Sequence, residues 1–61
     1  MRPPKVREVI KMLESDGWML TRCKGGRRIY RKGEKVVTIH GSDNHVLTVG
    51  TWKAIQKQAG W

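Results

Sequence analysis

A basic segment near the middle of the chain contains the residue types best suited to chemistry with a partner. Seven of the fourteen residues from Arg22 to Lys35 are Lys or Arg, and Glu34 is the one acidic residue among them. Cations fixed along a track neutralise phosphates and release condensed counterions. The segment therefore predicts binding of a polyanion, with nucleic acid as the natural class. The alternative is a charged surface that only keeps the protein soluble.

The candidates for proton transfer or nucleophilic chemistry are few. Imidazoles titrate near neutrality, so His40 and His45 could move a proton, whereas surface histidines without a chemical role are the ordinary alternative. Asp16 lies beside Gly17, which is typical of a helix end and of a structural residue. Cys23 has no neighbouring histidine in the sequence, so a packed side chain is favoured over a nucleophile.

Composition limits the remaining possibilities. The 61 residues carry a net charge of +8 and are 38% hydrophobic, with three Trp, which indicates one thinly packed domain over residues 1–61. A single cysteine supplies neither an internal disulfide nor a metal-ligand cluster, so we expect no metal and no other cofactor. No apolar run approaches the ~18 residues of a membrane span. We expect a cytoplasmic protein without membrane contact.

Two stretches with helical periodicity flank the basic segment. After two prolines, apolar residues recur at helical spacing at Val6, Val9, Ile10 and Leu13. This spacing predicts a first helix over residues 4–16, ended by Gly17 in the left-handed conformation. Thr48 is a suitable cap for a second helix that continues to Gly60. The apolar positions of that helix are Val49, Trp52, Ile55 and Ala59.

Between the helices, alternation and turn residues predict three strands. They cover residues 18–23, 28–31 and 35–40, and glycine-containing turns join them. The order helix, strand, strand, strand, helix predicts an α+β fold, in which two helices cover one face of a three-stranded antiparallel sheet. The other face is left for a partner.

Alternation also assigns side chains to the faces of the sheet. On the first strand, one face should carry Trp18 and Leu20, and the opposite face Met19, Thr21 and Cys23. Farther along the chain, the inward-facing residues should be Val37, Ile39, Val46 and Leu47.

Aromatic rings could hold unpaired bases by stacking, at about 1 to 3 kcal/mol each. Trp18 and Trp52 lie on apolar stripes, so core packing is favoured for both, and Trp61 closes the chain. Tyr30 has basic neighbours on what should be the outer face, so it is the ring we expect to stack, with packing on the sheet as the alternative. The residues expected to contact a nucleic acid are Arg22, Lys24, Gly25, Gly26, Arg28, Tyr30, Arg31 and Lys32.

Several short motifs occur in order along the chain. They are Val9-Ile10 to Leu13, Asp16-Gly17-Trp18, Arg22, Lys24-Gly25, Tyr30, Val37-Thr38-Ile39, Gly50-Thr51-Trp52 to Ile55, and Lys57-Gln58-Ala59-Gly60. In this order they resemble the HicA toxins of bacterial toxin–antitoxin pairs. The resemblance implies a double-stranded-RNA-binding-domain-like fold and a small metal-independent ribonuclease that cuts messenger RNA. It also implies a HicB-type antitoxin as the neutralising partner.

One position departs from the family's pattern. Members typically carry Gly-Ser-His at the first hairpin, where the histidine moves the proton, but the segment here is Gly25-Gly26-Arg27. Cleavage without a metal requires proton removal from a 2′-hydroxyl and proton delivery to a leaving 5′-oxygen. A guanidinium keeps its proton at pH 7 and therefore does neither. Arg27 therefore occupies the catalytic position of an impaired site, by natural drift or deliberate replacement, unless another group does the chemistry.

Other assignments stay open on the sequence alone. A non-catalytic RNA-binding module of the same fold is the main alternative, and the residue at position 27 separates it from a ribonuclease. A DNA-binding protein is disfavoured because neither helix has a face rich in Lys and Arg. A neighbouring third strand could bring His40 to the hairpin, whereas His45 is less suited. An acidic antitoxin should cover the same basic surface, including Arg27, Arg28 and Arg31.

Overall fold

The computed structural model describes residues 2–61. Its helices and strands, in chain order, are α1 (Val6–Ser15), β1 (Met19–Lys24), β2 (Arg27–Lys32), β3 (Lys35–His40) and α2 (Val49–Ala59). The strands form one antiparallel sheet in the order β1-β2-β3, so the predicted α+β arrangement is confirmed. Within residues 2–61, neither helix has the length and apolar character of a transmembrane segment.

Local hydrogen bonds set the helix boundaries. Helix α1 begins later than predicted because Lys5 is extended, with φ −78° and ψ 158°. Its backbone N–H donates to the Glu8 carboxylate at 3.0 Å, which is half of a capping box. At α2, Thr48 Oγ1 accepts from the Thr51 backbone N–H at 3.3 Å, and Gly60 has φ 76°. The predicted cap and end of the second helix are therefore confirmed.

The hydrophobic core lies between one face of the sheet and the two helices. Tyr30 lies opposite Val37, and Arg28 lies opposite Ile39, across β2 and β3. Residues paired in this way share a face, and here it is the face that the helices cover. The buried residues are Val6, Val9, Leu13, Trp18, Tyr30, Val37, Ile39, Leu47, Ile55 and Ala59.

Two of the predicted inward-facing valines are exposed instead. Val46 is 46% exposed and Val49 is 54% exposed. Leu47 is buried between them, because successive residues of extended chain point to opposite sides. Val49 is the first residue of α2, and the buried positions of that helix, Ile55 and Ala59, come in later turns.

Strand β1 forms an edge of the sheet, and all six of its residues are exposed. Leu20 lies opposite Tyr30, which confirms its predicted face, yet it is 50% exposed. The helices cover β2 and β3, where Tyr30, Val37 and Ile39 form the core, and they leave β1 uncovered. The sequence pattern gave the direction of the side chain but not the extent of the helix layer.

Asp16 holds the end of the chain against the end of α1. Its Oδ2 accepts from the indole Nε1 of Trp61 and from that of Trp18, each at 3.1 Å, and its Oδ1 lies 3.2 Å from Lys32 Nζ. These partners, led by Trp61, lower the pKa of Asp16 below its usual value. The ring of Trp61 also lies 6.2 Å from that of Trp52, at a tilt of 58°. The predicted structural role of Asp16 follows from these contacts.

Candidate nucleic-acid interface

The open face of the sheet, which lies away from the helices, carries four exposed cationic side chains. We call them the open-face cluster: Arg22, Lys24, Arg27 and Arg31. Across β1 and β2, these cations belong to three cross-strand pairs: Lys24 with Arg27, Arg22 with Ile29, and Met19 with Arg31. These pairs alternate with the pairs of Cys23 with Arg28 and Leu20 with Tyr30, whose side chains face the helices. The pleat of the sheet therefore separates the basic segment into two sets.

Three of the four members of the open-face cluster border an open cavity of about 420 Å³. The cavity is lined by Arg22, Lys24, Gly25, Arg27 and Ile29. The three strands, over residues 19–24, 27–32 and 35–40, contain no Asp or Glu. No carboxylate of the sheet therefore competes with a ligand for these cations, and an anion is the chemical class that the cavity fits.

A β-bulge at Thr21 brings Arg22 and Lys24 to the open face. The pairing of β1 with β2 shifts between Leu20 and Arg22, and Thr21 Oγ1 donates to the carbonyl of Ile29 at 3.1 Å. One extra residue in a strand reverses the faces of all residues after it. Sequence alternation missed the bulge, and with it the grouping of these two cations with Arg27.

Because of the bulge, the surroundings of Cys23 differ from the prediction. Strict alternation predicts that Cys23 shares a face with Met19, and its lack of a neighbouring histidine in the sequence favours a packed side chain over a nucleophile. In the structure Cys23 lies opposite Arg28, on the other face from Met19, and its thiol is free and exposed. The uncovered edge strand provides no core for it.

Two glycines form the turn between β1 and β2. Gly25 and Gly26 have φ values of 58° and 74°, which glycine adopts without strain and which suit a two-residue hairpin. Gly41 N donates to the carbonyl of Gly26 at 3.0 Å. This bond attaches the turn to the end of β3 and fixes the backbone on both sides of Arg27.

Two of the basic residues expected to contact RNA lie on the helix side of the sheet and have carboxylate partners. Arg28 Nη1 lies 2.7 Å from Asp43 Oδ1, and the Arg28 side chain is 26% exposed. Lys32 Nζ lies 3.2 Å from Asp16 Oδ1. Side chains alternate between the two faces along β2, so Arg28 and Lys32 face the carboxylates on the helix side while their sequence neighbours Arg27 and Arg31 face the open side.

The predicted outer-face position of Tyr30 was wrong. The side chain is 4% exposed and belongs to the core, and burial raises the pKa of its hydroxyl above the ordinary value. A ring enclosed in this way is not available for base stacking. The sequence did contain the signal, because a two-residue turn at Gly33 and Glu34 places Tyr30 opposite Val37, which was predicted to face inward.

The two histidines differ in their relation to position 27. His40 lies directly opposite Arg27 in the pairing of β2 with β3, and it is exposed. The ring of His45 lies against Gly41, where an added β-carbon would be 3.0 Å from His45 Cδ2. In the part of the chain that the structure describes, no group of three or more His, Cys, Asp and Glu side chains could hold a metal ion.

Comparison with known protein families gives one result that covers almost the whole chain. The family model described as the HicA toxin of bacterial toxin–antitoxin matches residues 6–61. The chain belongs to the HicA toxin family. A comparison with curated proteins gives no match. Family membership supports the role of a toxin in a toxin–antitoxin system, with an antitoxin as its partner.

Proposed function

We propose that this HicA-family toxin is an endoribonuclease that binds and cuts messenger RNA in the cytoplasm without a metal ion. The observation that carries the proposal is the open-face cluster, four exposed cations on a surface to which the strands contribute no carboxylate. Phosphates on an RNA strand are attracted to such a surface, and each contact releases condensed counterions. Arg22, Lys24, Arg27 and Arg31 are the residues to which we assign RNA contacts.

Arg27 sets a limit on the rate of cleavage. We align Arg27 with the histidine that members of the family typically carry at the first hairpin, and a guanidinium cannot accept a proton at neutral pH. It can donate two hydrogen bonds to one phosphate and stabilise the charge that develops there. We therefore assign phosphate binding to Arg27 and expect slow cleavage by the chain in its present form.

The second candidate is an RNA-binding module that does not cut. The same arginine favours it, since the residue at the family's catalytic position lacks acid–base chemistry. Both candidates use the open-face cluster for binding, so they differ only in whether RNA is cleaved when a chelator such as EDTA is present.

The binding step is tested by the salt dependence of RNA affinity. Replacing Arg22, Lys24 and Arg27 together by Ala should weaken binding and reduce the slope of log K against log salt by roughly 2, at roughly 0.7 per lost contact with a single strand. The matched control replaces Lys11, Lys53 and Lys57 by Ala, which removes the same charge from the helices. Equal slopes for the two variants would contradict binding at the open face.

We also propose that the antitoxin is of the HicB type and covers the open face through acidic residues. A surface that attracts phosphates also attracts carboxylates, so a bound antitoxin would exclude RNA. Arg27 and Arg31 should lie in the interface, whereas Arg28, expected there from the sequence, is directed to Asp43. Replacing Arg27 and Arg31 by Glu should weaken the complex in a binding titration. An antitoxin complex that binds RNA as tightly as the free toxin would contradict this proposal.

A further inference from the structure

The register of β2 and β3 places an imidazole beside the arginine at position 27. Arg27 and His40 are direct partners in this pairing, and Gly41 N donates to the carbonyl of Gly26 at 3.0 Å next to them. In an antiparallel sheet, two opposed residues whose flanking residues are hydrogen-bonded to each other form a non-hydrogen-bonded pair. The Cα atoms of such a pair lie about 4.5 Å apart, closer than in a hydrogen-bonded pair. The two side chains therefore leave the same face of the sheet at the shortest separation that a sheet allows.

The groups around His40 are cationic. On the open face it lies next to Arg27, and Lys24 is the partner of Arg27 one strand farther away. In the loop after β3, the Asp43 carboxylate lies 2.7 Å from Arg28, and His45 lies against Gly41. A phosphate that binds Lys24 and Arg27 would thus bring its ribose within reach of an imidazole that has no carboxylate partner on the strands, residues 19–24, 27–32 and 35–40.

We propose that His40 is the general base for RNA cleavage by this chain, an inference that rests on the proposed ribonuclease function. His40 takes the proton of a 2′-hydroxyl, and the 2′-oxygen forms a bond to the adjacent phosphorus held by Arg27. The bond from that phosphorus to the 5′-oxygen breaks, and the 5′-oxygen takes a proton from a water molecule. The imidazolium then gives its proton to the solvent. The products are a 2′,3′-cyclic phosphate and a 5′-hydroxyl.

This division of roles fits the chemistry of the two side chains. A guanidinium presents a rigid set of donors that match a phosphate and keeps its charge at every relevant pH. An imidazole can hold or release a proton near neutrality. Arg27 and His40 together therefore supply charge stabilisation and proton transfer from adjacent strands, whereas position 27 alone supplies the first of these.

Cleavage of a labelled RNA in EDTA tests the inference when binding is measured on the same samples. His40→Gln should reduce the cleavage rate by roughly 10²- to 10⁴-fold, the usual contribution of one general base, while RNA affinity and thermal unfolding stay close to those of the unaltered chain. His45→Gln is the matched control and should leave the rate unchanged. The rate of the unaltered chain should rise with pH, because only the deprotonated form of a general base can accept the proton. That rise should be absent in His40→Gln.

Each contrary result overturns a different part of the account. If the unaltered chain binds RNA with a steep salt dependence but does not cut it, His40 is not a base, and RNA binding alone stands. If His40→Gln and His45→Gln reduce the rate equally, the assignment to His40 is wrong. If an RNA with 2′-deoxyribose at the cleaved position is still cut, the mechanism is wrong. A chain that neither binds nor cuts RNA would overturn the proposed function itself.

Discussion

Strand β2 carries two pairs of basic residues whose positions differ by one residue and whose surroundings differ completely. Arg27 and Arg31 face open space on the uncovered side of the sheet. Arg28 and Lys32 face the helix side, where their nearest carboxylates are 2.7 and 3.2 Å away. A dense run of positive charge in the sequence is therefore not one surface in the fold. The pleat directs one half toward a partner and the other half toward the protein's own carboxylates.

The two sides should respond differently to mutation. Ion pairs at a protein surface contribute little to folding, so the helix-side pairs fix the loop and the chain end more than they stabilise the fold. Among the open-face cations, Arg31 Nε donates to the carbonyl of Gly33 at 3.0 Å. Neither ion pair of the described residues involves this cluster, so its charge is available to a ligand. Substitutions on the open face should change RNA binding or cleavage. On the helix side, replacing Arg28 or Lys32 should change neither RNA binding nor stability much, whereas replacing a core residue should change stability.

The largest effect should come from placing a second imidazole on the open face, beside His40. Arg27→His should raise RNA cleavage by roughly 10²- to 10⁴-fold, because the added imidazole can protonate the leaving 5′-oxygen, a step that otherwise falls to water, and one positioned acid–base group contributes that much. The increase should be visible in a gel assay with EDTA, and expression of the variant should be more toxic. Arg31→His is the matched control on the same face and should give no increase. Equal activity of the unaltered chain and Arg27→His would contradict the assignment of position 27.

On the helix side, the largest effect should come from Tyr30. Tyr30→Ala should lower the free energy of unfolding by roughly 3–5 kcal/mol, as is usual when a buried aromatic ring is removed. Tyr30→Phe keeps the ring and should preserve most of the stability, which urea denaturation would show. RNA affinity per folded molecule should be nearly unchanged in Tyr30→Phe. A strong loss of RNA binding in that variant, at normal stability, would return Tyr30 to the RNA contacts.

A smaller effect should follow from weakening the bulge that joins the two halves of the open-face cluster. Thr21→Val removes the hydroxyl that donates to Ile29, which should cost about 1 kcal/mol. It should also weaken RNA binding, because Arg22 and Lys24 would be held less firmly beside Arg27. Thr38→Val makes the same chemical change on β3, opposite Ile29, and serves as the control. If both variants bind RNA equally well, the bulge does not position the cluster.

The sequence predicts the elements well because each has a strong local signal. Helical spacing gives α1 and α2, and the glycine turns give the three strands. The same turns also contain the register: a two-residue turn at Gly33 and Glu34 puts Tyr30 opposite Val37 and Arg27 opposite His40. The basic neighbours of Tyr30 favour the outer face, but this register puts its side chain on the inner one.

Other features depend on contacts that no local pattern contains. No glycine marks the bulge at Thr21 in the sequence. Strict alternation therefore assigns Arg22, Cys23 and Lys24 to the wrong faces of the sheet. The partners of Asp16 come from three places in the chain, with Trp61 forty-five residues away. The exposure of Leu20 depends on how far the helix layer reaches over β1. Long-range packing decides each of these.

The most direct test of RNA binding by the open face compares the two basic pairs of β2 in one experiment. The variants Arg27→Ala with Arg31→Ala, and Arg28→Ala with Lys32→Ala, lose the same charge from the same strand. Their affinity for one RNA is measured at several salt concentrations. The first variant should lose roughly 1.4 from the slope of log K against log salt, at roughly 0.7 per contact, and the second should keep the slope of the unaltered chain. Equal losses, or a larger loss in the second variant, would contradict the claim that the open face binds RNA.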